Sequence, residues 1–390
     1  MRKLWCVSLL PFLVLPGYIA AADWPMFRYN AGHTGFVEEP SGKVWSYPTS
    51  KEIVSSPAVK EGLVFFGGYD KRVYALDAKT GEKKWDFVTG DKVKSSPAVS
   101  ADLVFIGSMD KKIYALNVQT GEKVWDYLTG KKIESSPVTG EISFLAAPPA
   151  SQEDKIDPQK NTVKVVLIGS TDGKLYCLKA ETGEKIWEFK ANNEIFSSPA
   201  LQDNIVYLAT GGGRIYAIAG ATGKVLWENR KLSGNFLESS PAVTSGLVFI
   251  GSTGSRMYAL KKENGEKIWE FVTEGGYVCS SPAVVNGKVY FGASDAKVYC
   301  LSASSGEKVW EHKTEKLVYA SSPAVVKGVL YIGATDNRLY ALDADTGLKL
   351  WQFTCGKPVN CAPAVVDDVV YFGSEDGLFY ALNTKAGIKY

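Results

Sequence analysis

Five residues, "SSPAV", begin at Ser55 and return at Ser95, Ser239, Ser280 and Ser321, with "SSPVT" at Ser135, "SSPAL" at Ser197 and "CAPAV" at Cys361. Self-similarity at a near-constant interval decides an architecture before any single residue does. From the first residue of the motif to the Tyr of a following "YAL"-like triplet the spacing is 19 in seven units, and the unit from Ser135 to Tyr176 is longer by 22 residues. From that Tyr to the next Trp the spacing is 11 each time, from Tyr74 and Trp85 through Tyr340 and Trp351, across a turn that usually reads "TGE". Gly in such a turn supplies the positive φ that a tight strand connection needs. Four short strands per unit, one aromatic anchor and a period of about 40 residues describe a propeller blade.

The chain ends carry the topology. The last unit stops at "KAGIKY", where its Trp strand should begin, while "SGKVWSY" holds an orphan Trp45 ten residues before Ser55. Trp45 is therefore predicted to complete the last blade, which closes the ring and removes open sheet edges. The fold class is all-β: an eight-bladed β-propeller with four-stranded blades, forming one domain over 23–390 with a loop insertion at 139–162 in blade 3. The repeated motif reads as scaffold. Its Pro falls at a strand start, where a missing N–H costs no ladder bond, and its hydroxyls can bond nearby backbone.

Lys plus Arg number 44 against 42 Asp plus Glu, so a net charge of +2 gives no overall footprint for nucleic acid or an anionic membrane. The start, "MRKLWCVSLLPFLVLPGYIAAADWP", reads as a signal peptide over 1–22 cleaved near Ala22, which makes the mature chain periplasmic or secreted, without a transmembrane segment. Its apolar run is short and broken by Pro11 and Pro16. Cys177 and Cys300 stand where other units have the Ala of "YAL" and read as small buried hydrophobes. Cys355 and Cys361 bracket "TCGKPVNC" and are the candidate disulfide, which spacing alone leaves open. The protein is expected to be a monomer.

A search for chemistry yields no catalytic, cofactor-binding or metal-binding assignment. His33 and His312 are the two histidines, and neither G-x-S-x-G, a P-loop nor a metal-spaced cysteine cluster occurs. Asp70, Asp110, Asp172, Asp295, Asp336 and Asp376 recur before the Tyr strand; one Asp per turn fits an Asx turn better than a calcium loop. A basic residue lies two places before each Tyr from Arg72 to Arg338, giving either a mixed-charge rim or a face suited to an acidic partner segment. Three consecutive connections, "ENRKLSGNFLESS", "EFVTEGGYVCSS" and "EHKTEKLVYASS", exceed the template length. Loops outside the packed blades are free to vary. They supply the predicted partner-binding residues: basic Arg230 and Lys231, and apolar Phe236, Leu237, Tyr277, Leu317 and Tyr319.

At "ADWPMFRYNAGHTGF" and across "SSPAVVNGKVYFGASDAKVYCLSASSGEKVWEH" the chain resembles the quinoprotein-like (PQQ-repeat) eight-bladed propellers. The resemblance implies a docking girdle between blades, here Trp45, Trp85, Trp125, Trp187, Trp227, Trp269, Trp310 and Trp351. It also implies two branches. Quinoprotein dehydrogenases bind pyrroloquinoline quinone and calcium, commonly with a disulfide between adjacent cysteines and in some members a haem motif; this sequence has neither Cys-Cys nor C-x-x-C-H. The other branch is the propeller subunit of the outer-membrane β-barrel assembly machinery, a non-enzymatic periplasmic scaffold. The expectation is an exported, non-catalytic scaffold with protein partners in the cell envelope, no cofactor and no nucleic acid. A PQQ-dependent oxidoreductase and a carbohydrate-binding propeller are the alternatives.

Overall fold

Blade 1 shows how the sequence becomes a sheet. Its strands β2 (Ala58–Lys60), β3 (Leu63–Gly67), β4 (Arg72–Asp77) and β5 (Lys83–Val88) pair in sequence order. "LVFFG" is buried throughout and "RVYALD" is buried at its four central residues, because both faces of a blade's middle strands are covered by neighbouring blades. In "KKWDFV" Trp85 alone is fully buried, as befits an outermost strand that is half in water. A β-bulge in the β4–β5 pair follows the residue facing Trp85, and the same irregularity recurs in the six other blades built from consecutive strands.

The computed structural model describes residues 45–144, 162–232 and 239–384. Among these the chain forms strands β1–β32, arranged as eight antiparallel four-stranded sheets, with no helix. First strands of neighbouring blades touch one another, so they surround the axis. The expected closure is present: β1 (Trp45–Pro48) pairs with β32 (Leu378–Asn383), outside β31 (Val369–Gly373) and β30 (Ala364–Val366).

All eight repeat tryptophans reach across to the next blade. Each Nε1 donates to a backbone carbonyl there at 2.6–3.1 Å, Trp45 to Ala78 and Trp351 to Thr384 among them. For seven of them, Trp45 through Trp310, the ring lies over the Gly of the neighbour's turn: a Cβ on Gly121, whose φ is 72°, would stand 2.6 Å from Trp85. That turn thus needs Gly for its backbone and for the close approach.

The insertion in blade 3 differs from the expected loop at both ends. Here β10 (Val138–Ser143) and β11 (Thr162–Gly169) run on as a hairpin as far as the pair Ser143 and Thr162. Alternation through "VTGEIS" continues the strand, Ile142 is buried, and Asn204 of blade 4 donates to the Ser143 carbonyl at 2.9 Å. The predicted signal peptide, 1–22, lies outside the described residues, among which no helix is long and apolar enough to cross a membrane.

Candidate functional site

The two serines of each motif have different tasks. The first ties its strand entry to the end of the blade's own second strand, as where Gly67 N–H donates to Ser55 Oγ at 3.0 Å. The second points to the axis and accepts from the preceding blade. Ser56 N–H donates to Ser96 Oγ, Ser96 to Ser136, Ser136 to Ser198, Ser198 to Ser240, Ser240 to Ser281 and Ser281 to Ser322, all at 2.9–3.0 Å. Ala362 N–H donates to Ser56 Oγ at 2.9 Å. The circle is broken at one place, because Ala362 offers no hydroxyl to the Ser322 N–H.

These serines floor an axial funnel of about 320 Å³. Around them stand the residues just before each motif, including Lys94, Glu134, Phe196, Cys279, Tyr319 and Asn360, together with Tyr69 and Glu375 from the turns between second and third strands. Lys94 and Lys132 both grip Glu134, at 2.7 and 2.5 Å. Burial pushes the Glu134 carboxyl up, but the two lysines outweigh it and hold the group below the usual carboxylate range. Asn360 Nδ2 donates to Glu375 at 2.6 Å. Lys92 Nζ lies 4.7 Å from the centre of the Tyr69 ring, whose phenol burial makes harder to ionise. A calcium ion needs six to eight oxygen ligands. Glu134 is already neutralised, and among the described residues no group of three or more His, Cys, Asp or Glu could hold a metal, so these residues do not fit a quinone–calcium centre.

Four of the six recurrent aspartates, Asp110, Asp172, Asp336 and Asp376, make the expected Asx turn, with Lys112 N–H on Asp110 Oδ1 at 2.9 Å, whereas Oδ1 of Asp70 and of Asp295 is buried without a protein partner; the aspartates also latch blades together. Asp110 Oδ2 accepts from Tyr114 of its own blade at 2.6 Å and from Gly90 of the preceding connection at 2.7 Å. Asp172 and Asp376 repeat this pattern. Most of the periodic basic residues are spent inside their own blades, Arg72 on Asp86, Lys112 on Asp126, Arg214 on Glu228 and Lys297 on Glu311, while Arg338 pairs with Glu315 and Lys297 also with Glu274, both in the connection before the blade. Paired in this way, they do not form a free basic face for an acidic segment.

The predicted partner residues separate into groups. Tyr277 and Leu317 are 52% and 44% exposed in consecutive connections on the funnel face, where their carbonyls accept from Ser294 and Thr335. Tyr319 lines the funnel itself. Arg230 and Lys231 lie on the outer flank of blade 4, against the Asn264–Lys267 turn of blade 5, with Arg230 bonded to Glu228 at 2.7 Å. Phe236 and Leu237 lie outside the described residues, as does His33; His312 is held by the Gly347 carbonyl at 3.0 Å.

The disulfide between Cys355 and Cys361 is not formed; both are buried free thiols. Each serves a separate place in the repeat. Cys361 Sγ accepts from Gly373 N–H at 3.2 Å, as a motif serine does, and Cys355 N–H bonds the Asn337 carbonyl, as Thr89 bonds Lys71 in blade 1.

Comparison with known proteins agrees with this geometry. The crystal structure of BamB from Moraxella catarrhalis superposes with a TM-score of 0.70 at 16% identity, covering 86% of this chain and 98% of that one. Quinohemoprotein alcohol dehydrogenase from Comamonas testosteroni gives 0.74 at 16% identity, covering 95% and 82%. The computationally designed Ika8 protein gives 0.71 at 17%, covering 86% and 97%. At such identities the likeness is one of fold. No curated protein matches the chain. One family model matches it over 36–157, 158–270, 229–326 and 294–390, and the chain accordingly belongs to the PQQ_2 family, described as outer membrane protein assembly factor BamB.

Proposed function

We propose that this chain is an exported, monomeric, non-catalytic scaffold that holds another protein of the cell envelope during outer-membrane protein assembly, without a cofactor. The observation that carries this reading is the exposure of Tyr277 and Leu317 on consecutive over-length loops of the funnel face, in a chain of this family. Large apolar side chains held on a rigid frame are the usual anchors of an interface. The internal pairing of the basic residues supports anchoring by apolar contact rather than by charge. The funnel's donor set supports the absence of quinone chemistry, and the dehydrogenase likeness extends to the fold alone.

A photo-crosslinking residue placed at 277 or 317 in the native envelope should capture an outer-membrane assembly protein. The same probe at Glu141, in the hairpin on the opposite face, should not. Tyr277→Ala with Leu317→Ala should abolish capture and leave the melting temperature unchanged. Capture from position 141 alone would place the working surface on the other face and overturn the reading.

A further inference from the structure

We infer that the axial funnel is a binding site for an uncharged, polyhydroxylated small molecule of sugar size, independent of any protein partner. The argument begins with protons. Each of the seven ring serines accepts a backbone N–H, and among the described residues none of their own hydroxyl protons has an acceptor. All seven are more than nine-tenths buried and face one cavity. A buried O–H without an acceptor is costly, so these donors take acceptor oxygens from water in the funnel or from a ligand that displaces it.

The same cavity also presents the opposite chemistry. Asn360 gives its Nδ2 to Glu375, which fixes the amide orientation, and its buried Oδ1 has no partner. A ligand that replaces this water must therefore accept several hydrogen bonds and donate at least one. Charge narrows the choice further. Lys94 is paired with Glu134, which Lys132 also grips from beside the funnel, and Glu375 accepts from Asn360, so the lining residues leave no lysine to hold an anion. Tyr69, Phe196 and Tyr319 add flat apolar surfaces. A sugar has hydroxyls that both accept and donate, a C–H face that packs on aromatic rings, and no charge. The volume of about 320 Å³ is at the lower end for small-molecule sites, which suits one or two sugar rings.

The test is isothermal titration of the full chain with glucose, N-acetylglucosamine and cellobiose, and separately with sodium phosphate and sodium sulfate. At least one sugar should bind saturably with a Kd of about 1 mM or tighter. Ser96→Ala with Ser281→Ala should weaken it by about tenfold or more, since each loss removes a donor. The chain itself tolerates Ala at this position, in Ala362. Asn360→Leu serves as a second variant, should the double one lose its fold, and is expected to weaken binding similarly. The inference is overturned if no sugar binds, if phosphate or sulfate binds in place of sugar, or if the folded variants bind as the parent does.

Discussion

Trp45 and Ala381 face each other across antiparallel strands although they come from opposite ends of the described chain, and Trp45 then passes its indole N–H on to Ala78 of blade 1. One residue thus completes blade 8 and docks it on blade 1. Deleting residues 45–48 should expose the edge of β32 and undo that docking. Thermal scans should show a much lower melting temperature with aggregation; melting like the parent would falsify the closure argument.

The docking tryptophans differ in burial, and so should their contributions. Trp125 is 9% exposed and bonded to the Ala180 carbonyl, whereas Trp227 is only partly buried. Trp125→Ala should cost about 3–5 kcal/mol in chemical denaturation, and Trp227→Ala less. Equal losses would mean that burial does not govern the girdle.

Two glycines with similar φ separate backbone strain from packing. Gly62 has φ 77° and open space at its Cβ position, so Gly62→Ala should cost about 1–2 kcal/mol for the left-handed backbone alone. Gly121→Ala adds a clash with Trp85 and should cost about 1–3 kcal/mol more. Denaturant midpoints of the two variants decide it, and a match would remove the close-approach argument.

Cys355 and Cys361 should behave as protected thiols. Burial, ahead of all other causes, pushes both up to about 12, so little thiolate forms at neutral pH. Alkylation of the native protein should be slow, alkylation in denaturant without reductant should label both, and reductant should leave the melting temperature unchanged. A fall in melting temperature on reduction would mean that the two are bonded after all.

Acid should release the charge pairs of the outer strands. Burial raises the Asp86 carboxyl, but Lys83 and Arg72 outweigh it and hold it below the ordinary carboxylate range. A group depressed in the folded state contributes fully above its unfolded pKa and loses that contribution as pH falls through the folded value. Asp86→Asn should therefore melt below the parent at neutral pH, and the two curves should converge in acid. A gap that persists at low pH would assign Asp86 a role other than charge pairing.

Sequence by itself determined the blade number, the four-stranded unit, the docking tryptophans and the closure by Trp45. Each of these is a local pattern repeated at fixed spacing, and a repeat whose units contact only their neighbours writes its architecture into its period. It could not show the ring of second serines, because the partners Ser136 and Ser198 are set side by side only once eight first strands meet at the axis. Nor could it show that Asp110 serves two blades, that Arg72 is spent on Asp86, or that the cysteines around "TCGKPVNC" stand at separate repeat positions. Spacing fixes which residues recur. Which of them converge depends on the curvature of the closed ring, and that is a property of all eight blades packed together.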